Sequence, residues 1–192
     1  MFNFNFYTPT RVVFGKETEY RIGKLVKNVN CKKVLLHYGS GSVIRSGLLG
    51  RIKESLDASG VTYVELGGVV PNPRLSLVRE GIELCRKEGV DFLLAVGGGS
   101  VIDSAKAIGY GLANDGDVWD FYEHTRQASA CLPIGVVLTI AASGSEMSDS
   151  SVITKEEGGI KRGYNGTLCK SHHIEDDMVE PVSYTTSDAA DD

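Results

Sequence analysis

The stretch Asp91–Val96 (DFLLAV) is apolar at every position from Phe92 on and runs directly into three glycines, Gly97 to Gly99. A run with no polar alternation belongs to a strand covered on both faces, and such strands are the mark of parallel sheets. A second continuous apolar run, LPIGVVLTI (132–140), follows after a helix-period segment, VIDSAKAIGYGLA (101–113). The same alternation fills the preceding half of the chain. TRVVFG (10–15), KKVLLHYG (32–39) and VTYVEL (61–66) read as strands. KETEYRIGKLVKNV (16–29), VIRSGLLGRIKESLDASG (43–60) and PNPRLSLVREGIELCRKEG (71–89) read as helices. In the second of these, Ile44, Leu48, Ile52 and Leu56 repeat every fourth residue along one helical face. SSVITKEEGGIKRGY (150–164) reads as two strands about a Glu-Gly-Gly turn. Strand and helix in this order predict an α/β fold, a parallel sheet with helices on both faces.

In open α/β sheets ligands bind outside the carboxyl ends of the strands. Three of those ends are rich in glycine and serine: Gly39-Ser40-Gly41-Ser42, Gly97-Gly98-Gly99-Ser100, and the TIAASGSE stretch from Thr139. Glycine lets an anion approach the backbone, and the helix that follows offers free N–H groups and a positive dipole end. Ser100 with Asp103, and Ser143 with Glu146, have capping-box spacing, so each pair also serves as a plain helix start. The loop at 97–100 matches neither the G-x-G-x-x-G fingerprint nor the triphosphate-binding loop. Carboxylate next to pyrophosphate is unfavourable, so Asp103 is expected to face a sugar or ring substituent instead. His37 closes an apolar strand and reads as a satisfied core histidine; Lys161 reads as a solvated hairpin lysine on spacing alone.

The formal charge of −5 is uneven. Seven of the 25 acids lie in 171–192, which has no Lys or Arg, leaving 18 acids against 20 bases in the rest. A nearly neutral body with no basic stripe argues against nucleic acid as partner. No apolar run reaches membrane-span length, and the N-terminus has no signal-peptide pattern. Cys31, Cys85, Cys131 and Cys169 form no C-x-x-C pair and are expected to be reduced thiols in a cytoplasmic protein. SHHIEDD (171–177) resembles a metal cluster in composition, but its side chains diverge in an acidic tail. The expected organisation is an α/β domain over 1–168, read below as dinucleotide-binding on the resemblance it carries, and an acidic, disordered tail over 169–192.

These motifs together resemble the iron-containing (group III) alcohol dehydrogenase family, within it the butanol dehydrogenase-like aldehyde reductases. The likeness runs through FNFYTPTRVVFGK (4–16), LLHYGSGSVIRSG (35–47), GGVVPNP (67–73), FLLAVGGGSVIDSAKAI (92–108), VLTIAASGSEMS (137–148) and ITKEEGGIKRGYN (153–165). It implies a Rossmann-like cofactor domain. Gly97, Gly98, Gly99 and Ser100 would wrap a dinucleotide pyrophosphate, and Asp103 would stand near the nicotinamide. Thr139, Ser143 and Ser148 would lie near ribose and nicotinamide, and Lys161 matches a cofactor-contacting lysine. Gly39, Ser40, Gly41 and Ser42 would face the adenine ribose; no acid stands there to repel a 2′-phosphate, which favours NADP over NAD. The implied reaction is hydride transfer between NAD(P)H and a primary alcohol or aldehyde, with a divalent iron or zinc polarising the carbonyl. The family's metal ligands, one Asp and three His, lie in a helical C-terminal domain expected to be absent from these residues, so the chain is expected to be inactive alone. The docking face so exposed predicts homo-oligomers. A non-catalytic dinucleotide-binding paralogue, and a member of the glycerol dehydrogenase or dehydroquinate synthase groups, remain alternatives.

Overall fold

The computed structural model describes residues 10–166 and the backbone of 182–185. Cys169, the SHHIEDD segment and Asp191 with Asp192 lie outside them. Six strands form one parallel sheet: β1 (Arg11–Phe14), β2 (Val34–Gly39), β3 (Tyr63–Val69), β4 (Phe92–Gly97), β5 (Ile134–Leu138) and β8 (Val182–Thr185). Their order is β1-β8-β5-β4-β2-β3. β6 (Ser150–Lys155) and β7 (Ile160–Asn165) make a separate antiparallel pair about a turn at Glu157–Gly159.

Alternation within the central strands divides the core in two. Leu35, Leu93, Ala95, Ile134, Val136 and Leu138 face one side, against α4 (Leu75–Glu88) and α5 (Gly99–Ala113). Val34, Leu36, Phe92, Leu94, Val96 and Val137 face the other, against α1 (Ile22–Lys27) and α3 (Leu48–Ala58). A strand that feeds two cores has no polar face, which is why FLLAV reads as an unbroken apolar run. Each fully buried Leu or Phe contributes roughly 1.5–3 kcal/mol relative to exposure.

Four expectations change. The helix expected over 43–60 is two: α2 (Ser42–Arg45) and α3, broken at Gly47, whose φ of 72° is a left-handed conformation that favours glycine. The helix expected over 16–29 opens with a 3-10 turn, Thr18–Arg21, before α1. A one-turn helix, α6 (Trp119–Tyr122), was not foreseen; Trp119, Phe121 and Tyr122 bury their rings in the first core. Val182–Thr185, assigned to the tail, pairs in parallel with β5 and β1 in the interior of the sheet. A short polar-rich stretch, VSYT, carries no apolar run to mark it as a strand. Among the described residues no helix is long and apolar enough to cross a membrane.

Candidate cofactor-binding site

β2, β4 and β5 are adjacent and parallel, so their carboxyl ends deliver three loops to one edge of the sheet. The glycine loop after β4 lies between the other two. Thr139 donates its N–H to the Gly97 carbonyl at 3.2 Å. A Cβ built on Gly98 would stand 2.8 Å from Ile140 Cγ2, and one on Gly99 would overlap the Ser143 hydroxyl. Val101 separates the glycine loop from the β2 loop: Cβ atoms on Gly39 and Gly97 would lie 3.7 and 2.5 Å from its Cγ2. Gly97 has φ 156°. The three glycine and serine loops foreseen from sequence are thus one contiguous surface.

α5 begins at Gly99, with Gly98 before it. No side chain caps it, so Ser100 and Asp103 do not form the expected capping box. The N–H groups of Gly99 and Ser100 have no acceptor among the described residues. Two unsatisfied donors beside bare glycine backbone, at the positive end of a 15-residue helix, suit an anion. The second expected box is also replaced. The 3-10 turn Ser145–Met147 follows Gly144, and neither Ser143 nor Glu146 caps it. For the first box the reason is that Asp103 is engaged with Ser145 instead of Ser100. Ser145 Oγ donates to Asp103 at 2.7 Å, and the Val152 N–H donates to the other carboxylate oxygen at 3.2 Å.

Burial raises the Asp103 pKa, opposed by the Ser145 hydroxyl, the Lys106 ammonium, the Val152 N–H and Lys161. Lys161, on β7, is exposed and donates to Asn72 Oδ1 at 2.7 Å, which ties the hairpin to the turn before α4. The hydroxyls of Ser40, Ser42, Ser100, Thr139 and Ser143 have no hydrogen-bond partner among the described residues and are open to a ligand. Ser148 Oγ accepts from the Ser150 N–H at 3.3 Å.

His37 is fully buried, as expected of a core histidine. It touches the Leu66 carbonyl through Nδ1 at 2.7 Å and the Ser104 hydroxyl through Nε2 at 2.9 Å. A carbonyl only accepts, so Nδ1 carries the proton and Nε2 accepts from Ser104. Burial lowers the His37 pKa to about 4, against the Leu66 hydrogen bond, so the ring is neutral at physiological pH. Cys31, Cys85 and Cys131 are free thiols, and burial pushes Cys85 up to about 12, which makes it a poor nucleophile.

Three residues of this site lie within the quoted stretches but were not expected to take part in it. Lys106 and Ser145 are buried, and Asn72 holds Lys161. Lys106 did leave a signal: it is the one cation in an α5 otherwise built of apolar, small and hydroxyl residues apart from Asp103. Among the described residues no group of three or more His, Cys, Asp or Glu is placed to hold a metal ion.

A doubly covered parallel sheet with its glycine loop at a strand end places the chain among Rossmann-like α/β domains. The profile of the family described as iron-containing alcohol dehydrogenase matches residues 9–172, and the chain belongs to that family. It is 48% identical over 168 residues to the probable NADH-dependent butanol dehydrogenase 1 of Bacillus subtilis, covering 88% of this chain and 43% of that protein. It is 35% identical over 168 residues to the NADPH-dependent aldehyde reductase YqhD of Escherichia coli, covering 86% and 42%. The crystal structure of NADH-dependent butanol dehydrogenase A from Thermotoga maritima superposes with a TM-score of 0.87 at 41% identity, over 96% of this chain and 44% of that one. The chain therefore spans less than half the length of the relatives it matches.

Proposed function

We propose that this chain is the nicotinamide-dinucleotide half of an alcohol or aldehyde oxidoreductase. The observation that carries this reading is the pair of unsatisfied N–H groups at Gly99 and Ser100, set in a glycine loop between two hydroxyl-bearing loops. Gly97 to Ser100 would hold the pyrophosphate. Gly39, Ser40, Gly41 and Ser42 would meet the adenine ribose. Thr139, Ser143, Ser148, Asp103 and Lys161 would surround the nicotinamide and its ribose. Bound there, the cofactor supplies the hydride; the residues of this chain orient it.

The loop at 39–42 has no carboxylate, and Arg45 beside it has no acidic partner among the described residues. That chemistry favours NADP(H). The second reading is NAD(H), favoured by four relatives of 41–50% identity whose names specify NADH. The substrate class is a primary alcohol or aldehyde, in a cytoplasmic homo-oligomer. Val12 and Phe14, 50% and 74% exposed on edge strand β1, support self-association. Titrating the purified chain with NADPH and NADH, followed by nicotinamide fluorescence, tests the reading. Saturable binding of one at lower concentration is expected, and no binding of either rejects it. Aldehyde-dependent NADPH oxidation by these 192 residues is expected to stay at background with added ferrous iron or zinc.

A further inference from the structure

The Lys106 ammonium is 4% exposed, in the interior of a helix whose neighbours are alanine and isoleucine. It donates to the carbonyls of Ser145, Ser148 and Ser150 at 2.6, 2.7 and 2.8 Å, and to Ser145 Oγ at 3.1 Å. Burying an ammonium is costly unless its protons are satisfied. A methionine would fill the same volume without that cost, so packing alone does not account for a lysine here. Its three shortest contacts are to backbone carbonyls spread over six residues. Such contacts fix the path of a loop whatever side chains it carries. Ser145 Oγ also donates to Asp103 at 2.7 Å, so the ammonium orients the hydroxyl that orients the carboxylate.

We infer that Lys106 is a positioning residue: its buried ammonium clamps the loop from Thr139 to Ser150 onto α5, and so sets the gap between that loop and the glycine loop at the head of the same helix. This rests on the dinucleotide reading above, and it assigns the clamp to the nicotinamide half of the site. Among the described residues its hydrogen bonds go to Ser145, Ser148 and Ser150 and none to the β2 loop, on the far side of the glycine loop. Lys106 touches no ligand itself; it acts through Ser148, whose carbonyl it holds, and through Asp103, which it reaches by way of Ser145.

The two halves of the cofactor separate this role from a general structural one. NADH uses both halves, whereas ADP uses only the adenine and pyrophosphate half. Lys106→Met keeps the bulk and removes the charge. It is expected to raise the dissociation constant of NADH about tenfold, as loss of a charged hydrogen-bond set does, and to leave that of ADP within about twofold. Equal weakening of both ligands, or no change in NADH, overturns the inference. Ser145→Ala serves as the milder variant should the first fail to fold. It removes the Oγ link but keeps the carbonyl contacts, so a smaller loss in NADH with ADP unchanged is expected, and unaltered NADH affinity again overturns the clamp. Binding of neither NADH nor ADP by the unmodified chain is a different failure, which removes the dinucleotide reading on which the clamp stands.

Discussion

The loops after β2 and β5 flank the same glycine loop and are held in opposite ways. The β2 loop is anchored by an apolar side chain: Val43, 2% exposed, sits in the core beneath it, while Ser40 and Ser42 point their polar surface outward. The β5 loop has no such anchor. Its large apolar residues, Ile140 and Met147, are 62% and 41% exposed. It is fastened instead from α5, through Asp103 and Lys106. A loop that buries no apolar group must be fixed by hydrogen bonds, and in a desolvated place those bonds need charge to be strong. One consequence is that the two ends of the proposed cofactor site differ in what disturbs them. The adenine end answers to side-chain chemistry at its surface, and the nicotinamide end to the polar network behind it.

The largest expected effect tests whether both ends share a root in α5. Ser104, between Asp103 and Lys106, donates to His37, which lies two residues before Gly39. The folded chain holds the His37 pKa at about 4 against an ordinary 6.5. As pH falls below 6.5 the unfolded chain takes up a proton that the folded chain refuses. Stability from this group is therefore complete above pH 6.5, falls between 6.5 and 4, and is flat below. The loss across that window is about 3 kcal/mol. Urea midpoints from pH 7 to 4 are expected to show it, and His37→Gln to flatten it. A wild-type slope that survives the substitution would place the titration elsewhere.

Next in size is a pair of glycine substitutions, one in the glycine loop itself and one in the β2 loop. At Gly97 the backbone has φ 156° and an added methyl would meet Val101, a buried β-branched residue. Gly97→Ala is expected to cost about 1–3 kcal/mol, as overpacking does, and to abolish measurable cofactor binding. At Gly41 the nearest atom to an added methyl is Nη1 of exposed Arg45, 2.8 Å away at the end of a flexible side chain. Gly41→Ala is expected to stay within about 0.5 kcal/mol, the range of ordinary surface changes. Chemical denaturation of both variants checks the contrast; equal losses would remove it.

How much of this was legible in sequence depended on which force marked each element. β4 and β5 were plain because burial on both faces leaves an unbroken apolar run, and the glycine loop followed at once. α2 and α3 merged because the apolar spacing carries through Gly47, and only its backbone conformation breaks the helix. Val182–Thr185 was missed because the sheet admits it through backbone pairing with β1 and β5, which leaves no hydrophobic signature. Within the site, the residues that offer free hydroxyls and glycine backbone were readable, since they sit in small-residue loops. Those that hold the loops were not. Lys106 is 42 positions from Ser148, and Asn72 is 89 from Lys161, separations at which no local pattern survives. Capping-box spacing misled for the same reason: Asp103 is drawn to Ser145 across the fold rather than to Ser100 along the helix.

The smallest expected effect lies at the open end. Arg45 is exposed, has no ion-pair partner among the described residues, and lays its guanidinium over Gly41 between Ser40 and Ser42. A guanidinium in that place suits a phosphate better than a neutral hydroxyl, because two parallel N–H groups match two phosphate oxygens. Arg45→Ala is expected to weaken NADPH about tenfold or less, the range for one exposed charge-assisted contact, and to leave NADH unchanged. The wild-type NADPH affinity is expected to fall more steeply with salt than that of NADH, since the contact is open to solvent screening. Parallel titrations at two ionic strengths decide between the cofactors. If Arg45→Ala leaves the NADPH-to-NADH ratio where it was, the β2 loop does not read the 2′ position. The open loop would then serve only to cover the adenine ribose, and NADH, the cofactor named for the relatives of 41–50% identity, becomes the better reading.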